Sequence, residues 1–239
     1  MQRIIDQLTE SADHLALDEA LLLEAEAGRS GEALRVWEFA EHVVVAGRST
    51  RVDDEIERSF CDSQGIPILR RCSGGASVVG GPGCLMYSVV LSFERDAALG
   101  RIDVAHQYVI SRVLTALQRQ IPDVALQGTC DLTWRDCKFS GNSLRITRQH
   151  LLYHGTILYD FDLGLISRCL KHAPRQPEYR QGRDHGDFVT NMPIDQSEFS
   201  SGLEEVFDVT ARGDTESLLS RIRSLREQRY DSPAWHFRH

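Results

Sequence analysis

Three segments of the 239-residue sequence bring together residue types that could do chemistry. The first is Arg70-Arg71-Cys72-Ser73-Gly74-Gly75-Ala76-Ser77-Val78-Val79-Gly80-Gly81-Pro82-Gly83. Glycines let a backbone approach a ligand and turn its N–H groups toward an anion. Two arginines at a strand end can neutralise phosphate or carboxylate with forked hydrogen bonds. The segment is not a Walker loop, because no Lys-Ser/Thr follows its second glycine pair, and it lacks the spacing of a dinucleotide fingerprint. A plain hairpin turn is the competing reading.

The second segment runs from Gly128 to Ser143, where Lys138 precedes a small Ser140-Gly141 step. Base usage singles this lysine out: of 27 basic residues only two, Lys138 and Lys171, are Lys. In so arginine-rich a chain, a motif lysine points to work that a guanidinium would not do. A compact ammonium following negative charge as it develops on oxygen is such work. The bland alternative is a solvent-facing hairpin lysine. The third segment is the apolar stretch Leu151 to Leu158, interrupted by His154-Gly155-Thr156; its histidine is either a ligand contact or a satisfied core residue. There is no GxSxG elbow and no HExxH, and His150 and His154 would not converge on a strand, so no metal site is expected.

Hydrophobic spacing predicts the elements that must hold these segments. A helix capped by Ser11 runs to about Ala27 and stops at Gly28. Short strands are expected at Leu34–Trp37 and His42–Ala46, an acidic helix from Asp53 to Gln64 ended by Gly65, and a strand from Pro67 into Arg71. Leu85 to Phe93 reads as a strand buried on both faces, followed by a helix from about Asp103 to Gln118. Strands are expected again at Asp131–Trp134, Lys138-Phe139, Ser143–Ile146 and Leu151–Tyr159, then a helix from Asp162 to Leu170 and two more at about 198–208 and 214–229. The mixed order of strands and helices points to an α+β fold.

Hydrophobic residues make up 41% of the chain and charged ones 26%, enough apolar material for a core. The formal charge of −8 argues against a nucleic-acid partner bound by phosphate neutralisation. No apolar run approaches the roughly 18 residues that span a bilayer, and the polar start lacks a signal peptide. A soluble, cytoplasmic protein is therefore expected. The six cysteines show no CxxC and read as reduced thiols.

Taken together, these residues resemble the lipoate–protein ligase family, whose catalytic domain is shared with octanoyltransferases and biotin–protein ligases. The likeness begins at Leu15-Ala16-Leu17-Asp18-Glu19-Ala20-Leu21 and continues through Arg35-Val36-Trp37, Val43 to Arg48 and Gly65-Ile66-Pro67. It then takes in the Arg70-Arg71-x-Ser73-Gly74-Gly75 loop, Asp131-Leu132, Lys138-x-Ser140-Gly141 and His154-Gly155-Thr156. The resemblance implies a biotin/lipoate-protein ligase-like domain over residues 1–195, with a central mixed sheet flanked by helices, and a short helical C-terminal extension over 196–239. It also implies the chemistry. Lipoate or octanoate is activated by ATP with Mg²⁺ to an acyl-adenylate, and the acyl group passes to a Lys of a lipoyl carrier domain, such as that of a 2-oxoacid dehydrogenase E2 or a glycine cleavage H protein.

Carried over by position, Arg71 and the loop Ser73, Gly74, Gly75, Ala76, Ser77, Val78 and Val79 would hold the adenylate phosphate and acyl carbonyl. Lys138 would be the catalytic residue, touching carboxylate and α-phosphate, and His154, Gly155 and Thr156 would line the acyl tunnel or face the adenylate. Two-domain ligases carry a further C-terminal domain that the helices after residue 195 are too short to supply. The resemblance therefore also admits a separate accessory subunit, a transferase that carries the acyl group as a thioester on Cys130, or a non-catalytic carrier-binding subunit. Lipoyl domains are acidic, and the basic stretch of Arg168, Arg175, Arg180 and Arg183 is the expected docking surface.

Overall fold

The structure, a computed structural model, describes residues 1–171 and 176–239. The two longest apolar runs, Cys84–Ser92 and His150–Leu158, pair antiparallel along their whole length. In chain order the strands are β1 (Gln2–Ile4), β2 (Ala33–Glu38), β3 (Val43–Ala46), β4 (Ile68–Arg70), β5 (Val78–Gly80), β6 (Cys84–Ser92), β7 (Val124–Gln127), β8 (Asp131–Trp134), β9 (Cys137–Ser140), β10 (Asn142–Ile146), β11 (His150–Leu158) and β12 (Ala211–Gly213). The helices are α1 (Ser11–Glu26), α2 (Val52–Glu55), α3 (Arg58–Gln64), α4 (Ile102–Gln118), α5 (Leu163–Cys169), α6 (His185–Phe188), α7 (Gln196–Val206), α8 (Leu219–Leu225) and α9 (Pro233–His236).

The main sheet has the order β10-β11-β6-β2-β1-β12. Its first four strands are antiparallel, while β1 runs parallel to both β2 and β12, so the sheet is mixed. Two three-stranded sheets, β4-β3-β5 and β7-β8-β9, flank it. Because side chains alternate across a strand, Ala33, Met86, Val90, Leu152 and Leu158 face one core with α1. Tyr87, Val89, Leu91, Leu151, Tyr153 and Ile157 face a second with α4 and α7. This burial on both sides explains the near-continuous apolar runs of β6 and β11.

Three expected elements come out differently. Ser11 is the first helical residue of α1 rather than its cap; Glu10 holds the cap position without a side-chain hydrogen bond, while Gly28 ends the helix at φ +69° as expected. The acidic helix splits into α2 and α3 because Ile56 turns extended, buries its side chain and bridges to Leu170. Finally, segment 196–239 is not wholly helical. Residues 211–213 satisfy the edge of β1 as the parallel strand β12, and α7 and α8 pack on α4 and α1.

Candidate active site

Sheet register builds the site before any loop is added. On the face under α1, Arg35 on β2, Ser88 on β6 and His154 on β11 stand side by side in one polar row. The next row is Trp37, Met86 and Thr156. Helix α1 answers the polar row with a buried carboxylate, Asp18. Its Oδ1 accepts from Arg35 Nη1, and its Oδ2 accepts from Ser88 Oγ at 2.7 Å and lies 3.2 Å from His154 Nδ1. Burial alone would raise the Asp18 pKa, but the Arg35 charge, His154 and Ser88 outweigh it and hold the carboxyl below its usual range.

The anion dictates the histidine tautomer. With Nδ1–H donated to Asp18, His154 Nε2 is left to accept from the Ser73 hydroxyl 2.6 Å away, and Ser73 Oγ in turn accepts from Arg71 Nε at 3.0 Å. A directed chain of hydrogen bonds thus runs from the glycine-rich loop through the sheet to α1. Arg71 also donates to the carbonyls of Val45 (3.1 Å), Ala76 (3.0 Å) and Gly74. Its guanidinium therefore shapes the loop, and full burial lowers its pKa to about 10. Ala76, in the loop's tight approach, keeps a φ outside the positive region, and Gly75 takes +85°.

Arg70 does something else. It lines neither cavity of the site and has no carboxylate partner among the described residues. Its guanidinium donates to the carbonyls of Gly47 (2.6 Å), Thr50 (2.9 Å), Trp235 (3.0 Å) and His236 (2.7 Å), so only one of the paired arginines faces the pocket.

Two neighbouring chambers that share lining residues open above the sheet. The first, about 260 Å³, is walled by Leu15, Trp37, Val45, Val78 and Met86 and bounded by Arg71, Gly75, Ala76, Ser77, His154, Gly155 and Thr156. The second, about 160 Å³, is walled by Val79, Leu158, Ile166, Leu170 and Phe188. Lys138 borders both. Its ammonium is held at 2.8 Å by Asp131, whose other oxygen accepts from Tyr179 OH at 2.7 Å. Ser73 and Gly74 line neither chamber: Ser73 stands behind the wall, and the Gly74 carbonyl accepts from Ser143 Oγ at 2.9 Å. Gly155 is required by its neighbours, since a Cβ there would fall 1.9 Å from Asn142 Oδ1, which accepts the Tyr87 hydroxyl. Three residues bordering the chambers carry a buried polar atom with no hydrogen-bond partner among the described residues: Trp37 Nε1, Ser77 Oγ and one Nη of Arg180. Such orphans mark where a polar ligand would complete the site.

The sequence reading found the loop, Lys138 and His154-Gly155-Thr156, and the fold brings these segments together. It passed over the roles of Asp18, Arg35, Asp131 and Trp37. A signal was present: two adjacent acidic residues, Asp18 and Glu19, inside the apolar stretch Leu15–Leu23 of α1, and an arginine in an apolar strand. The basic stretch expected to dock a carrier is turned inward in part. Arg180 is buried with its guanidinium over Phe188, Arg183 donates to the carbonyls of Asp136, Tyr179 and Arg180, and Arg168 pairs with Asp162. Arg175 lies outside the described residues.

Cys130 borders the first chamber and donates Sγ–H to the Asn142 carbonyl at 3.1 Å. Burial and the Asp131 charge push its thiol up to about 11 against the pull of Lys138. Beside the site, His14 stacks on Trp37 with ring centroids 4.3 Å apart, and its Nδ1 accepts from Arg35 Nη2 at 3.1 Å. Burial first, then the Arg35 charge, lowers the His14 pKa from 6.5 to about 4. An unfolded histidine takes its proton at about 6.5, so the folded state should lose about 3 kcal/mol as pH falls from 6.5 toward 4, and none of this above pH 7. Urea unfolding across that range should be distinctly flatter for His14→Gln; equal slopes would refute the assignment.

An apolar chamber bordered by an ammonium and a histidine, beside a second chamber, has a lining suited to an acyl group. The family model described as the lipoyl protein ligase A/B catalytic domain matches residues 10–196, and the chain belongs to that family. Its relatives include the octanoyltransferase LipM of Carboxydothermus hydrogenoformans, 26% identical over 266 residues that cover 99% of this chain and 98% of the relative. Lipoate–protein ligase 1 of Staphylococcus aureus is 22% identical over 242 residues, covering 97% and 71%. Among solved structures, the fold matches a bi-partite lipoate protein ligase described with its E2 lipoyl domain from Thermoplasma acidophilum. That match has TM-score 0.84, 21% identity, and coverage of 99% of this chain and 95% of that one. Among the described residues, no helix is long and apolar enough to cross a membrane.

Proposed function

We propose that this member of the family is an ATP-dependent lipoate–protein ligase, which activates lipoate or octanoate to an acyl-adenylate and passes the acyl group to a lysine of a lipoyl carrier domain. One observation carries the reading: Lys138 borders two chambers at once. An acyl chain in one chamber and a nucleotide in the other would meet at this ammonium. As the carboxylate attacks the α-phosphorus, negative charge moves from carboxylate to phosphoryl oxygens and later to the carbonyl oxygen of the transfer step. A fixed point charge between the chambers stabilises each in turn. Mg²⁺ would enter with ATP as co-substrate. Burial of the acyl chain contributes about 0.8 kcal/mol per methylene.

The competing transferase reading needs Cys130 as a thiolate. A thiol held near 11 is almost wholly protonated at neutral pH, which supports the ligase reading. Two outcomes test it. Apo lipoyl domain incubated with the protein, ATP, Mg²⁺ and lipoate should gain the mass of one lipoyl group with release of pyrophosphate, and Cys130→Ser should retain that activity within about threefold. A hydroxylamine-labile acyl group on Cys130, formed from an octanoyl-carrier without ATP, would replace the ligase by the transferase.

A further inference from the structure

With Arg168, Arg180 and Arg183 engaged in internal contacts, a different basic surface remains on the molecule. Arg48 and Arg51 are exposed on the loop between β3 and α2, and Arg238 is exposed just after α9. Arg238 donates to the Arg48 carbonyl. Its guanidinium lies 4.2 Å from the centroid of Trp235, with Arg229 over the same indole at 5.1 Å. Arg58 covers the half-exposed ring of Phe237 at 4.8 Å. The charges of Arg58 and Arg229 are answered by Asp53 and Glu19. Among the described residues no carboxylate lies within ion-pair distance of Arg48, Arg51 or Arg238, although Asp54 is exposed nearby on α2. Burial against the indole and the charges of Arg48 and Arg229 hold the Arg238 pKa below its ordinary value, so the group is crowded with like charge.

This surface adjoins the mouth of the site. Arg48 N–H donates to the Ser73 carbonyl at 2.8 Å and Thr50 Oγ to the Gly75 carbonyl at 3.3 Å. A Cβ at Gly47 would fall 1.9 Å from that same carbonyl, so the two loops are in direct contact. The loop tip Gly74–Ala76 is exposed, and Gly75 and Ala76 border the first chamber. In a chain of charge −8, uncompensated guanidiniums at the rim of the catalytic mouth would orient an acidic partner that the rest of the surface repels.

We propose that Arg48, Arg51 and Arg238, the last seated on Trp235, form the docking surface for the acidic carrier domain whose lysine receives the acyl group. The inference rests on the proposed carrier as acceptor. Cation-lined aromatic rings add a flat contact that an acidic protein surface can cover, and Arg suits carboxylates through forked bonds.

The test is Arg51→Glu/Arg238→Glu, two exposed side chains outside the catalytic machinery. At low ionic strength the KM for an apo lipoyl domain should rise at least tenfold, with kcat and carrier-independent pyrophosphate release unchanged. Raising salt through 0.1 M, where the Debye length is about 10 Å, should raise the KM of the unmodified protein and not that of the variant. Charge-reversed carrier, Glu or Asp to Lys on its acidic face, should restore the variant. Unchanged KM and unchanged salt dependence would overturn the proposal. So would loss of binding to a short DNA duplex with carrier kinetics intact. Carrier binding measured by calorimetry without ATP separates the two readings. Weaker binding to the variant supports this surface even if no adenylate forms, and equal binding overturns it even if the ligase reaction is confirmed.

Discussion

Lys138→Arg is expected to lower carrier lipoylation at least a hundredfold, about 3 kcal/mol of transition-state stabilisation, even though positive charge is kept. The reason lies in the space around the ammonium. Gly141 closes on this side chain, with Lys138 Nζ and Cε 3.3 and 3.4 Å from the point where a Gly141 side chain would begin. Asp131 stands 2.8 Å away. A planar guanidinium would meet the Gly141 backbone and engage Asp131 with two parallel bonds, turning its remaining donors from the junction of the chambers. The lysine makes one bond to Asp131 and keeps two rotatable donors for substrate oxygens. Mass spectrometry of apo lipoyl domain, with Lys138→Ala in parallel, measures the loss. Near-normal turnover by the Arg variant would mean that the two-lysine composition was chance and that the ammonium has no directed role.

Asp18→Asn should be nearly as damaging, through folding and through the site. Removing one partner of a buried ion pair costs about 3 to 5 kcal/mol when the other charge is stranded. Asp6, 3.1 Å from Arg35 Nη2, still answers that guanidinium, so a loss near the lower figure is expected. The amide can also offer Nδ2–H to His154, which would reverse the tautomer and remove the acceptor from Ser73. The Ser73 hydroxyl and the Arg71 bond that depends on it would then lose their fixed direction, and activity should fall at least tenfold at temperatures where the variant stays folded. The ¹⁵N shifts of His154 report the tautomer independently of turnover. An unaltered histidine spectrum in a folded, fully active variant would sink this account. Because the Asp18 carboxyl titrates below its unfolded value, its stabilisation is complete above about pH 4 and is lost as pH falls through the lower folded value. The variant should lack that acid-side decline.

The long elements and the motif-bearing loops were legible because their signals are local. Largely apolar stretches made the nine-residue strands β6 and β11, glycine stops ended α1 and α3, and Lys138 stood out by composition. What escaped was set by distant pairing. Strands β1 and β12 are three residues each, and neither Gln2-Arg3-Ile4 nor Ala211-Arg212-Gly213 has a pattern of its own; they exist because each offers the other a parallel edge. The polar row of Arg35, Ser88 and His154 depends on sheet register, which no single segment contains. Arg180 was misplaced for the opposite reason. Charge marked Arg180 as surface, whereas its stem and guanidinium are folded over Phe188 and its Nε is satisfied by the Arg183 carbonyl.

The Arg70 guanidinium, anchored on carbonyls from both residues 47–50 and 235–236, has a consequence for biosynthesis. Half of that carbonyl cage is about 165 residues downstream, so a nascent chain exposes the arginine strand long before its far wall has been translated. The sheet can collapse early on the ribosome, but the loop next to Arg70 reaches its working shape only after the distal segment has emerged and closed over it. The carbonyl cage of Arg70 is therefore completed last, and a fragment lacking residues 235–236 would keep the scaffold without that wall.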